Sequence, residues 1–268
     1  MMRQLTALTR RELLRIARNP QAIGASLLLP VLYLILFGQG FNLPYPSYYI
    51  AGAPDYFSYF SAGMAGFVAV TATLFLGANV IFDRLFGVLK RTSATPATPA
   101  SIFGSRLLAG SVQPIGLAFL VLGLAALLGH VGLAGLSVTQ SVSPLGALEI
   151  VAAIVILSLM FASLFLAIGF SLQQPQTYFA VVNAINLPVL LTSAALYPVG
   201  RLPDWLKTIA SYNPVTLAVE VIRQNLFSGS VGYYTYSPGI YLLGLAGWAV
   251  GMFLFAVVLA ARALAPAR

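Results

Sequence analysis

The chain has 268 residues, of which 59% are apolar and 7% charged, with 14 basic and 6 acidic side chains. A soluble domain of this length carries about a quarter charged residues, so the composition, with a mean hydropathy of +0.91, points to a multi-span all-α membrane protein. The basic residues mostly flank apolar runs, which fits cytoplasmic loop bias and anionic headgroups rather than nucleic acid, and the absence of cysteine excludes disulfides, thiolate metal sites and thiol nucleophiles.

Residues 1–20 alternate Arg3, Arg10, Arg11, Arg15 and Arg18 with leucines before Pro20. That spacing predicts an interfacial helix on the membrane surface. The basic stretch is too long for a signal peptide, and no small-residue cleavage site follows it. A bilayer core of about 30 Å needs about 20 apolar residues, and the first such run is 21–41, where Pro30 is expected to bend the helix. A Tyr- and Pro-rich loop at 42–56 has the composition of a membrane–water interface. The second span is 57–82. Next comes the connection DRLFGVLKRTSATPATPASIFGSR (83–106), which concentrates Asp83, Arg84, Lys90, Arg91 and Arg106. It is expected in water, on the cytoplasmic side.

Span three is placed at 107–128. An outer loop at 129–149 holds the single histidine, His130, which has no metal partner in sight. Span four is placed at 150–172, headed by Glu149, and a polar turn, Gln173 to Gln176, leads to span five at 177–197. Residues 198–228 read as two short amphipathic pieces instead of a span. Asn213 and Pro214 mark a helix start, with Asn as N-cap and Pro at the first helical position. In the helix that follows, Glu220 and Arg223 are three apart and are expected to pair on one face. About 14 residues cannot cross a bilayer, so this segment is expected to be re-entrant or interfacial. Span six is 240–261. With both termini in the cytoplasm, inner segments hold eleven basic residues and outer segments three, in accord with six spans. The whole chain, 1–268, reads as a single membrane domain.

There is no Walker A sequence, no HExxH and no His/Cys cluster. No charge lies in the middle of any span, whereas proton- and ion-driven carriers usually keep ionisable groups there. Transport driven by an external motor fits better.

The run FDRLFGVLKRTSATPATPASIFGSRLLAG (82–110) resembles the cytoplasmic segment of the type-2 ATP-binding-cassette (ABC) export permeases, with Asp83-Arg84, Gly87, Val88-Leu89, Lys90-Arg91 and Ala94-Thr95-Pro96 at the corresponding positions. The later run 196–229 is similar to that family's signature after span five, through Tyr197-Pro198, Leu202-Pro203, Trp205-Leu206, Asn213-Pro214, Glu220 and Arg223. Leu85 departs from the pattern, since many members carry a second acidic residue there. The closest flavour is the daunorubicin and multidrug exporter type. The resemblance implies a permease subunit in a prokaryotic plasma (inner) membrane, working as a homo- or heterodimer. It would bind no cofactor itself, while partner ATPase subunits hold ATP and Mg. The cargo would be hydrophobic or amphipathic; a polysaccharide or ion exporter, or a non-transporting scaffold or intramembrane enzyme, are the alternatives.

On that resemblance, a coupling helix near 83–95 would dock to the ATPase through Asp83, Arg84, Gly87, Lys90 and Arg91; the competing view is that these charges merely set topology. Asn213, Pro214, Glu220 and Arg223 would form an outer gate or a static anchor. Asn79, Asn183, Asn186 and Pro188 would line the pathway at a dimer interface, or else bond helices within one subunit. Gly247 and Gly251 form a small-residue pair in span six, expected to serve internal packing.

Overall fold

The computed structural model describes residues 2–18, 20–40, 52–88, 99–131, 133–228 and 236–264. Most of these are helical, with no strand among them. In chain order the elements are α1 (Met2–Ala17), α2 (Pro20–Tyr33) continued by a π-helical turn (Leu34–Gln39), α3 (Tyr56–Thr71), α4 (Leu74–Leu85), α5 (Pro99–Leu128), α6 (Pro144–Ser171), α7 (Pro175–Leu191), α8 (Asp204–Tyr212), α9 (Pro214–Leu226) and α10 (Pro238–Leu264). Among the described residues, four stretches are long and apolar enough to cross a membrane: Tyr56–Leu85, Ser101–Leu128, Pro144–Ser171 and Pro238–Ala260. The apolar stretch Ser26–Gly38 and α7, at 17 residues, are shorter.

Helix α6 is the central pillar. It packs on α10, α4, α5 and α9, and its Leu157, Phe161 and Phe165 join Tyr59, Val219 and Ile222 in the main core. It crosses α4 at Gly77 and Gly169, where a Cβ on either residue would overlap backbone atoms of the other helix. Without a hydrophobic drive between helices in lipid, such small-residue contacts allow the close packing that holds them together. Helix α10, by contrast, turns Leu243, Val250, Leu254 and Phe255 outward, as a lipid-facing helix should.

The second predicted span is interrupted. Helices α3 and α4 meet at Ala72–Thr73, where the Thr73 hydroxyl donates to the Val70 carbonyl (2.6 Å) and the Thr71 hydroxyl to that of Phe67 (2.9 Å). Such back-bonding hydroxyls compete with the helical ladder and bend it. The Leu74 carbonyl beyond the break accepts from the Tyr178 hydroxyl of α7 at 2.6 Å.

Several expected boundaries move. Span three was placed at 107–128, but α5 begins at Pro99; Arg106, expected in the aqueous connection, lies inside the helix because Asp83 neutralises it (2.8 Å). Span four was placed at 150–172, but α6 begins at Pro144 with the Ser143 side chain capping Gly146 N. Glu149 is tolerated within it because its carboxylate accepts from Asn225 Nδ2 (2.9 Å). Span five, expected to reach residue 197, ends at Leu191, where Thr192 and Ser193 hydroxyls bond back to Pro188 and Leu190 carbonyls (both 2.7 Å).

Candidate functional site

Two polar stations lie at opposite ends of the helix pair α3–α4. The first is a charge cluster at the end of α4. Asp83 is buried at 5% exposure between Arg106 of α5 (2.8 Å) and Arg15 of α1 (3.4 Å). Glu12 accepts from Arg11 (2.7 Å) and faces Arg15 (3.7 Å). Beside it, the Arg84 guanidinium donates to the carbonyls of Phe170 and Leu172, both at 2.7 Å. Those are orphan acceptors at the C-terminus of α6, where a cation also meets the negative end of the helix dipole. The cluster therefore ties helices α1, α4, α5 and α6 together at one level.

Gly87 closes α4. Its φ is +71°, and its N–H bonds to the Arg84 carbonyl (3.1 Å). A Cβ there would meet open space within this chain, so it is the left-handed backbone of the helix C-cap that calls for glycine. Lys90 and Arg91 lie outside the described residues.

The second station is built by α9. The Asn213 side chain caps this helix by accepting from Val215 N (2.9 Å), while its amide donates to the Val189 carbonyl (2.7 Å) and to the Thr192 hydroxyl (3.0 Å). Pro214 occupies the first helical position. Arg223 is fully buried. Its guanidinium donates to the carbonyls of Ala194 (2.8 Å), Tyr59 (3.0 Å) and Ala195 (3.3 Å) and lies 3.5 Å from the centre of the Tyr59 ring. The Tyr59 hydroxyl donates to the same Ala194 carbonyl (2.9 Å). This arginine thus clasps α9, α3 and the turn after α7.

The expected Glu220–Arg223 ion pair does not form. Arg223 turns instead to the Ala194 and Ala195 carbonyls just after α7 and to the Tyr59 carbonyl of α3, and three acceptors there outcompete one neighbour. Glu220 is buried at 7% exposure and takes no hydrogen bond or ion pair among the described residues. It lines a cavity of about 560 Å³ together with Tyr59, Tyr212, Tyr241 and Trp248.

The proposed pathway asparagines part company. Asn79 is exposed and lines a second cavity; Asn183 is exposed on α7; Asn186 is turned inward at 4% exposure, with its Oδ1 unpaired. They do not form one group within this chain. Sequence reasoning singled out neither Arg15 and Arg106 as partners of Asp83 nor Tyr59 as the platform for Arg223. An arginine next to an apolar run, facing a lone acidic residue at the same predicted level, was the available signal for the first pair; nothing pointed to Tyr59.

The ABC-2 type transporter family model matches residues 3–227. The chain belongs to the ABC-2 type transporter family. Among its relatives, the ycf38 transport permease of Porphyra purpurea is 32% identical over 226 residues, covering 82% of this chain and 72% of that protein. The doxorubicin resistance ABC transporter permease protein DrrC of Mycobacterium tuberculosis is 25% identical over 91% of this chain and 82% of its own length. Nodulation protein J of Rhizobium meliloti is 28% identical over 88% and 84% respectively. As an ABC-2 protein with four apolar helices of spanning length, the chain is an integral membrane protein of a transport-permease family.

Proposed function

We propose that this chain is the membrane subunit of an ATP-driven exporter, working beside a separate ATPase that binds ATP and Mg, and paired with a second permease. The single observation that carries this reading is the inner charge cluster. Asp83 and Arg84 spend their polar atoms within the chain, so residues 86–98, immediately beyond them, would be gripped by the motor while the cluster passes the displacement to α1, α4, α5 and α6. Docking would then fall to Gly87, Lys90 and Arg91, with Asp83 and Arg84 as the internal anchor. Six spans, with α2 and α7 as the two shorter ones, and cytoplasmic termini put this cluster on the ATPase side.

Helices α8 and α9 would form the outer re-entrant element. The exposed face of α7, with Asn183 and Leu187, is the surface proposed for the second permease. The spanning stretches, charged only near their ends, suit a hydrophobic or amphipathic cargo. A saccharide-bearing cargo is the second reading, favoured by the aromatic cavity beside Glu220, since aromatic faces and a few polar groups make a specific pocket.

Affinity purification from solubilised membranes tests the motor. An ATPase should co-purify with the wild type and be lost from a still-folded Gly87→Trp, Arg91→Glu variant. Absence of any ATPase from the wild-type preparation under mild conditions would sink the proposal.

A further inference from the structure

The cavity that Asn79 lines runs between α1, α2, the α3–α4 break and α5, with a volume of about 620 Å³. That lies within the range of small-molecule pockets, about 300–1,000 Å³. Its lining is graded. At one end stand Glu12, Arg15 and Arg106. Asn79 follows one helical turn beyond Asp83, about 6 Å along α4, and Gln113 lies about 10 Å beyond Arg106 along α5. Further on the walls are Leu29, Pro30, Phe67 and Phe75. Charge, amide and hydrocarbon thus succeed one another along the helix direction.

Each level lacks something. Arg11, Arg15 and Arg106 face two carboxylates, Glu12 and Asp83. Arg15 is half exposed, with its contacts as long as 3.4 and 3.7 Å, so most of its five donors remain available. Asn79 and Gln113 take no hydrogen bond among the described residues, at a depth where an unsatisfied polar group is costly. Among the described residues, no side chain fills the apolar end.

We propose that this cavity binds an anionic amphiphile taken from the adjoining leaflet: a phosphate or carboxylate headgroup at Arg15, its ester region at Asn79 and Gln113, and one hydrocarbon chain along Leu29, Phe67 and Phe75. A free anion satisfies only the first level, and a neutral amphiphile only the other two. The site requires the chain to sit in a bilayer but not to be an exporter, so it stands or falls apart from the proposed function. Its occupant would wedge the α3–α4 break against α2.

The protein has two tryptophans, Trp205 and Trp248, and neither lines this cavity. A Phe75→Trp reporter in a Trp205→Phe, Trp248→Phe background reads it alone; Leu29→Trp reads it from α2 should the first fail to fold. The reporter protein in neutral bilayers is titrated with phosphatidylglycerol or phosphatidylcholine carrying identical brominated chains, which quench on contact, and separately with inorganic phosphate. Half-quenching should need about tenfold less of the anionic lipid, the discrimination of one charge-assisted contact. Arg15→Gln should abolish that preference, and Arg11→Gln, outside the cavity, should keep it. Inorganic phosphate should compete only weakly. Equal quenching by both lipids overturns the proposal. So does a preference that survives Arg15→Gln, one lost equally with Arg11→Gln (surface charge alone), or full competition by phosphate (an anion site without a chain).

Discussion

Replacing Arg223 by Met should be among the most damaging single changes in this protein. The side chain is fully buried and makes three hydrogen bonds to carbonyls plus a ring contact at 3.5 Å. Hydrogen bonds to a charged group contribute about 1.5–3 kcal/mol each, and a desolvated cation–π contact about 2 kcal/mol, but these do not simply add. The Ala194 carbonyl keeps the Tyr59 hydroxyl, so its loss is partial, whereas buried Glu220, one turn away, loses the nearest cation. Breaking one member of a buried charge arrangement costs about 3–5 kcal/mol, and we expect the net effect there. Lys cannot reproduce the planar fork, so Arg223→Lys should recover less than half. The double change Glu220→Gln, Arg223→Met should be milder than Arg223→Met alone, because it leaves no unbalanced buried charge. Unfolding in mixed micelles titrated with denaturing detergent measures all three. Wild-type stability of Arg223→Lys, or a loss below about 1 kcal/mol for Arg223→Met, would refute the clasp.

Asp83→Asn should cost about 3 kcal/mol by stranding Arg106, and Asp83→Asn, Arg106→Gln should recover part of it in the same assay. Gly87→Ala should cost about 1 kcal/mol at φ +71°, and Gly87→Asn less, because asparagine tolerates the left-handed region; equal losses would put the cause elsewhere. Gly169→Val should prevent folding altogether, judged by loss of the monodisperse peak in gel filtration, since no side-chain motion relieves an overlap with backbone. Tyr178→Phe should cost about 1 kcal/mol, with faster hydrogen exchange confined to the α3–α4 break.

Much of this was legible from the sequence. The helical class, the N-terminal helix and the start of α9 at Asn213-Pro214 all follow from period, length and capping chemistry that act locally. Two of the errors share a cause. Arg106 and Glu149 were taken as water-exposed because each is charged, yet Arg106 is neutralised by Asp83 and Glu149 accepts a hydrogen bond from Asn225, each partner lying on another helix. A membrane helix can continue through a charge if a distant partner supplies the counterweight, and that partner's position is tertiary information. Arg223 fails for the mirror reason. Glu220 was its nearest partner along the chain, but the carbonyls of Ala194, Ala195 and Tyr59 are nearer in space.

The two stations are mechanically connected. Helix α3 is held through the Tyr59 carbonyl by Arg223, and α4 is held through Asp83 and Arg84. Between them the helix is discontinuous at Ala72–Thr73, where hydroxyls replace part of the regular ladder. Two rigidly anchored halves joined at a weakened turn concentrate any relative displacement in that turn. Tyr178 grips the Leu74 carbonyl at the same place, so bending there is felt first by α7, the helix whose opposite face carries Asn183 uncovered. A pull on the connection after α4 would therefore reach the surface proposed for the second permease by a short path, through α4, the break and Tyr178. The Arg223 clasp would keep α3 and α9 fixed as the reference against which α7 moves.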